Sequence, residues 1–122
     1  MEKTSITMIS LSSLAAGAST TGADCTPLEL SRTIALFFEL EATFDASATG
    51  GLTVSWYASR NNTDWDTSPW LTDTVAVSAG NSVRVPLNPI NPSPMYLRAI
   101  VTNNDSTYAV TNLKLIATQT DL

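Results

Sequence analysis

The sequence predicts an all-β domain, and three observations carry that prediction. The polar residues are mostly Thr, Ser and Asn, which together with Val favour pleated strands and polar turns. Charged residues make up 14% of the chain, so the Glu, Lys and Arg that build helices are scarce. Short segments of alternating hydrophobicity recur with turn signals about every 8–12 residues. We therefore expect one domain over residues 1–122, a β-sandwich of about seven or eight antiparallel strands. Jelly-roll-like connectivity is favoured over an immunoglobulin-like one.

The N-terminal segment is predicted to be the first strand. Thr4 to Leu14 alternates well enough for one face to be apolar. A secretory signal peptide is disfavoured, because the charges of Glu2 and Lys3 cancel and Thr and Ser interrupt the apolar stretch. The sequence leaves open whether residues 1–22 form this strand or an extended arm.

The clearest core strand is predicted over residues 33–44. Its alternate positions are apolar from Ile34 onward, although Phe37 puts an aromatic ring on the other face. Helical spacing is also present here, but the alternation and the neighbouring Thr residues favour a strand. A turn ending in Gly50-Gly51 leads to the next strand, residues 52–58, where Trp56 is in phase with the core positions.

The remaining strands are expected to be short and separated by turns. A weak strand is predicted at residues 27–31, before the core strand, and others follow at 73–78 and 82–87. The last two are expected at 95–102 and 108–118, with a turn at 103–106 between them.

Charge and residue type exclude several function classes. The net charge is -5 with six Lys and Arg, which argues against a nucleic-acid partner and an anionic membrane surface. The chain has no histidine, so the commonest general base and metal ligand is missing. Its one cysteine, Cys25, cannot form an internal disulfide and is interpreted as a buried thiol. We expect a protein that is not an enzyme and needs no cofactor or metal.

Two loop features suggest ligand binding and have plainer explanations. Asn62, Asp64 and Asp66 alternate as oxygen ligands do in Ca²⁺ loops, but a glycine and a downstream Glu are missing. A solvated turn is therefore the favoured interpretation. Trp65 and Trp70 flank the same loop and form a candidate stacking surface for a glycan if both indoles are exposed and coplanar.

Two segments resemble small virion proteins of tailed bacteriophages. Leu52 to Ser59, running into Asn62 to Thr67, resembles their strand followed by a hairpin of the form S-x-D-G-x-x-W-D-T. Met95 to Asn103 resembles their strand in which Tyr and Arg alternate with apolar residues before a final Asn. Asn61-Asn62 stands where Asp-Gly is common in that hairpin, so the turn type is expected to differ.

The resemblance implies a capsid decoration (cement) protein on the outer capsid surface of the virion, made in the host cytoplasm. Its partners would be the major capsid protein and copies of itself, most often as a homotrimer. The alternative is a tail-fibre or baseplate module that binds a host glycan through Trp65 and Trp70. For the decoration role, we expect the capsid or subunit contacts to come from the first strand and the proline-rich segment after residue 87. The candidate contact residues are Ile6, Met8, Ile9, Leu11, Pro89, Ile90, Pro92 and Pro94.

Overall fold

Eight β-strands and one short 3-10 turn make up the regular structure, in a computed structural model that describes residues 1–122. The strands are β1 (Glu2–Leu14), β2 (Leu28–Glu29), β3 (Thr33–Thr43), β4 (Leu52–Ser59), β5 (Leu71–Val75), β6 (Ser82–Pro86), β7 (Tyr96–Asn103) and β8 (Val110–Asp121). The 3-10 turn spans Gly22–Asp24. No helix of this fold is long and apolar enough to cross a membrane.

The strands form two four-stranded antiparallel sheets, which confirms the predicted β-sandwich. One sheet has the order β1-β8-β3-β6 and the other has the order β2-β7-β4-β5. We call these sheet A and sheet B. Strand β1 pairs with β8, β2 with β7, β3 with β6 and β4 with β5, so the chain is arranged as one long hairpin rolled across two sheets. This nested pairing is the jelly-roll connectivity.

A single hydrophobic core of 24 buried residues fills the space between the sheets. Trp56 lies within it, and its ring contacts Phe38 of the opposite sheet with centroids 4.4 Å apart. Strand β4 buries alternate residues from Leu52 through Trp56, as the sequence predicts. Sheet-on-sheet packing explains this period of two, because only one face of each strand meets the core.

The structure corrects several details of the sequence prediction. Ile34 was expected on the core face of β3 but is 47% exposed, because the pairing of β3 with β8 shifts register between Thr33 and Ala35. Strand β5 covers residues 71–75 rather than 73–78. The glycine turn after β3, which the sequence allows to be either a hairpin or a sandwich corner, joins strands of different sheets and is therefore a corner.

Candidate interaction surfaces

Strand β1 lies at the edge of sheet A and has a strand partner on one side only. It pairs with β8 from Glu2 to Leu14, with an irregularity between Thr7 and Ile9. The irregularity turns both Met8 and Ile9 into the core, and the Met8 carbonyl accepts a hydrogen bond of 2.7 Å from the Thr26 N–H. The second edge of Glu2–Thr7 therefore has no backbone partner within the chain.

The predicted contact residues divide into a buried and an accessible group. Met8, Ile9 and Ile90 are at most 5% exposed, because each one packs in the hydrophobic core. Their burial leaves them without surface for a partner. Ile6, Leu11, Pro92 and Pro94 are half-buried, and Pro89 is exposed. A contact role for the accessible group stays a prediction.

The segment between β6 and β7 is fixed to the sandwich at its start. Leu87 and Ile90 are buried, and the Asn88 side chain donates a hydrogen bond of 2.5 Å to the Asp73 carboxylate of β5. The Leu87 N–H also donates to the Phe38 carbonyl at 3.0 Å. The prolines between these anchors and β7 are thus presented from a fixed base, which lowers the entropy cost of using them in a contact.

The Asn62, Asp64 and Asp66 loop forms a hydrogen-bonded turn. The Asn61 side-chain oxygen accepts from the N–H groups of Thr63 and Asp64, at 3.0 and 2.8 Å. The Asn61 amide in turn donates to the Asp64 carboxylate at 2.7 Å, and Asn62 has a positive φ of 62°. No group of three acidic, Cys or His side chains in the structure is placed to hold a metal ion. The turn itself accounts for Asn61, Asn62 and Asp64.

Asp64 and Asp66 also line a shallow depression of about 270 Å³ beside Ala58 and Met95. Both carboxylates are exposed to solvent. A pair of carboxylates that acts in glycoside hydrolysis needs opposed placement around a bound sugar, and efficient acid–base work needs a water-excluding site. This open depression provides no such enclosure.

The two candidate tryptophans have different surroundings. The Arg98 guanidinium of β7 covers the Trp65 ring, with its Cζ atom 4.3 Å from the ring centroid. Trp70 is 41% exposed, and its backbone N–H donates to the Trp56 carbonyl at 2.7 Å. One face of the Trp65 ring is therefore in a cation–π contact, and Trp70 lies immediately before β5. Glycan stacking by these two indoles stays a prediction.

Sequence reasoning missed the network around Asp105. Its carboxylate is buried and accepts the backbone N–H groups of Thr49, Gly50, Thr107 and Tyr108, at 2.7 to 2.9 Å. These hydrogen bonds, first among them the one from Gly50, hold the Asp105 pKa well below its usual range. The carboxylate thus joins the β3–β4 corner to the β7–β8 turn. The turn signal Asn103-Asn104-Asp105-Ser106 marked the position but not this cross-link.

Cys25 is a buried thiol, as expected. Burial is the main cause that raises its pKa, which keeps the thiol protonated and unreactive. The Ala99 N–H donates to its sulfur at 3.5 Å. This arrangement is that of a core side chain and not of a nucleophile.

The fold and these surfaces define an eight-stranded jelly-roll domain whose distinctive features are edges and loops. Among solved structures it is similar to the VP2 subviral particle of infectious bursal disease virus, with a TM-score of 0.62 and 11% identity over 98% of this chain. It is also similar to T=1 particles derived from infectious bursal virus, with a TM-score of 0.61 and 12% identity over 96% of this chain. The chain covers 32% and 31% of those two viral chains, so it spans about a third of their length. At these identities the likeness shows the fold. No family model and no curated protein matches the sequence.

Proposed function

We propose that this chain is a non-enzymatic structural protein of a virus particle, which stabilises the capsid through protein–protein contacts. The observation that carries the proposal is the jelly-roll fold, which nearly the whole chain shares with chains of viral particles. The resemblance of its hairpin and β7 segments to small tailed-phage virion proteins supports the narrower role of a capsid decoration subunit. That role places it on the outer capsid surface, bound to the major capsid protein.

The accessible surface supports a role in protein contacts. Phe37 projects from the outer face of sheet A and is 48% exposed. On the same face β8 contributes Ile116, and the register places Thr118 directly opposite Phe37. Glu39 is the next outer-face residue of β3 and lies opposite Ile116, so Phe37 is an exposed aromatic residue at the border of a charged region. Aromatic residues are enriched at protein interfaces. Charged residues lie toward both ends of this face. Arg84 and Glu41 form an ion pair at 3.2 Å at one end, and Lys3 of β1 pairs with Thr120 of β8 at the other.

The same proposal includes contacts between copies, with a homotrimer as the expected state. A decoration subunit stabilises a capsid through the surface area that it buries in protein contacts, because each copy must bridge neighbouring capsomers. The β1 edge, Pro89 and the half-buried Pro92 and Pro94 are the proposed contact segments. Light scattering across a dilution series tests the trimer directly.

The decisive experiment is localisation on the particle. Antibodies raised against the purified chain are expected to label the outer surface of intact particles of the virus whose genome encodes it. Particles that lack the chain are expected to lose their DNA at lower temperature than complete ones, and purified chain added back should restore the difference. Absence of the chain from purified particles would contradict the proposal.

A further inference from the structure

Arg98 is the only charged residue at the outward positions of β4, β5 and β7, the three longer strands of sheet B. The other outward positions of these strands hold hydroxyl, aromatic and aliphatic side chains, namely Thr53, Ser55, Tyr57, Thr72, Thr74, Tyr96, Ile100 and Thr102. The outer face of sheet A is different, because Glu41 there lies opposite both Arg84 and Lys114. A single cation therefore lies among neutral groups on the outer face of sheet B.

Arg98 has no acidic partner within the chain. The one ion pair of the fold joins Arg84 to Glu41 on sheet A. Asp24 and Glu29 lie in the elements beside β7, and each carboxylate accepts a backbone N–H of its own turn, at 2.8 and 2.9 Å. An unpaired arginine is unexpected in a chain that has 11 acidic and six basic residues.

The guanidinium of Arg98 is held in place by its neighbours. The Trp65 ring centroid lies 4.3 Å from its Cζ atom, and Gly22 packs so closely that a Cβ there would lie 2.5 Å from Nη1. The Nε atom is buried without a hydrogen-bond partner, whereas both Nη atoms reach solvent and likewise have no partner in the chain. A positioned guanidinium with both Nη atoms accessible is suited to bind one carboxylate in a bidentate manner. Because Arg98 is half-buried, solvent screens such an ion pair less than it would at an exposed arginine.

We propose that Arg98 and the aromatic residues around it bind an acidic sugar, such as a sialic or uronic acid residue of a glycan. The Arg98 guanidinium binds the carboxylate of the sugar. Tyr57 lies directly opposite Arg98 on β4, and Tyr96 lies on the same face of β7, both half-buried. Their rings and hydroxyl groups can contact the apolar faces and the hydroxyl groups of the sugar. This function is additional to the structural role and does not depend on it.

The surroundings of Arg98 favour a sugar over an acidic peptide or a phosphate group. The loop that contains Trp65 also carries the exposed carboxylates of Asp64 and Asp66. An acidic peptide or a dianionic phosphate would bring several negative charges beside this loop, where one arginine offsets only one of them. A sugar acid has a single charge, and its remaining hydroxyl groups match a face built from hydroxyl and aromatic side chains such as Ser55 and Tyr57.

Nuclear magnetic resonance titration of the isotope-labelled chain tests the site. The probes are sialyllactose and trigalacturonate, and their uncharged counterparts are lactose and the methyl ester of trigalacturonate. At least one acidic probe is expected to shift the signals of Tyr57, Trp65 and Arg98, with a Kd about tenfold or more below that of its counterpart. Added salt should weaken binding of the acidic probe. The outer face of sheet B is open, so we expect weak binding that becomes effective when many copies act together.

Substitution of Arg98 tests its role. Arg98→Gln removes the charge and is expected to raise the Kd of the acidic probe by about tenfold or more. Arg98→Lys keeps the charge but cannot form the bidentate contact, so its Kd should lie between those of the parent and Arg98→Gln. Arg84→Gln, which removes the exposed arginine of sheet A, is the matched control and should leave the Kd unchanged. Circular dichroism checks folding, and the signal mapping on the parent chain decides the question if an Arg98 variant does not fold.

Three results would overturn the proposal. The first is that neither acidic probe binds more tightly than its uncharged counterpart, or that the shifted signals lie away from Arg98. The second is an unchanged Kd in folded Arg98→Gln. The third is that tetraglutamate or inorganic phosphate binds at Arg98 as tightly as the acidic sugars, which would assign the site to another class of anion. All of these measurements use purified chain without particles, so their failure leaves the virion role unaffected, and absence of the chain from particles leaves the sugar site unaffected.

Discussion

The indole N–H of Trp56 donates a hydrogen bond to the carboxylate of Asp73 at 3.2 Å, across the interior of sheet B. Both side chains are buried, and Asp73 is 6% exposed. The second carboxylate oxygen accepts from the Asn88 amide at 2.5 Å. Asp73, on the edge strand β5, therefore fixes both the Trp56 ring in the core and the start of the proline-rich segment through hydrogen bonds. Its inward charge also protects the β5 edge.

Removing this acid is expected to destabilise the domain. Asp73→Ala leaves the Trp56 and Asn88 donors without their acceptor, and we expect a loss of about 2–4 kcal/mol in the free energy of unfolding. Urea denaturation followed by tryptophan fluorescence measures the change. Thr72→Ala, at the neighbouring exposed position, should stay within about 0.5 kcal/mol of the parent. A similarly small effect for Asp73→Ala would contradict the role given to the hydrogen bonds.

The Asp105 network predicts a loss of stability in acid. The folded-state pKa of Asp105 lies below its unfolded value of about 3.9, so its stabilising contribution is complete above that value. The contribution is lost as pH falls from about 4 toward the folded pKa. Asp105→Asn replaces one acceptor oxygen with a donor facing two N–H groups, and it should destabilise the fold at neutral pH and flatten the acid dependence. Thermal melts of the parent and variant between pH 2 and pH 7 test both statements, with the exposed Asp66→Asn as control.

Gly22 gives Arg98 the space to cover Trp65. A Cβ atom at residue 22 would lie 2.5 Å from the Arg98 Nη1 atom, so Gly22→Ala must displace the guanidinium. We expect Trp65 to become more accessible, seen as stronger acrylamide quenching of its fluorescence, because the cation–π contact at 4.3 Å is lost. Arg98→Lys should give the same change, since an ammonium cannot cover the ring as a planar guanidinium does. Subtraction of the Trp65→Phe spectra isolates the signal, and unchanged quenching in both variants would contradict the contact.

Cys25 is expected to resist thiol reagents in the folded protein. Its sulfur is buried and its pKa is raised, so little thiolate is available at neutral pH. Labelling with Ellman's reagent should be slow in buffer and complete in denaturant. Fast labelling of the native protein would show that the region of the 3-10 turn opens and exposes the thiol.

The sequence pattern located most of the strands because burial follows a period of two. Leu52, Val54 and Trp56 are buried in turn, as their spacing predicts, and the last strand is likewise placed within a few residues. Pattern reasoning failed where the register changes. The register shift after Thr33 exposes Ile34, and the irregularity at Met8 buries two consecutive residues. Both irregularities break the alternation of side chains, because an extra residue in a strand moves the side chains that follow it to the other face.

The candidate contact residues show the same division. Pro89 is exposed, which a contact residue requires. Met8, Ile9 and Ile90 are instead buried in the hydrophobic core. An apolar side chain near a chain terminus or in a loop can either pack in the core or contact a partner. The local sequence does not distinguish these two roles. The loop Asn and Asp residues, by contrast, follow from turn chemistry that acts over three or four neighbouring residues.

The sequence by itself determined the all-β class, the approximate strands and the lack of histidine chemistry, since these depend on composition and on neighbours along the chain. Only the tertiary structure decided the sheet order, the Asp105 cross-link between two distant turns, the covering of Trp65 by Arg98 and the exposure of the β1 edge. Each of these relates residues that are tens of positions apart. Their contact free energy depends on how the two sheets pack, which no local pattern encodes.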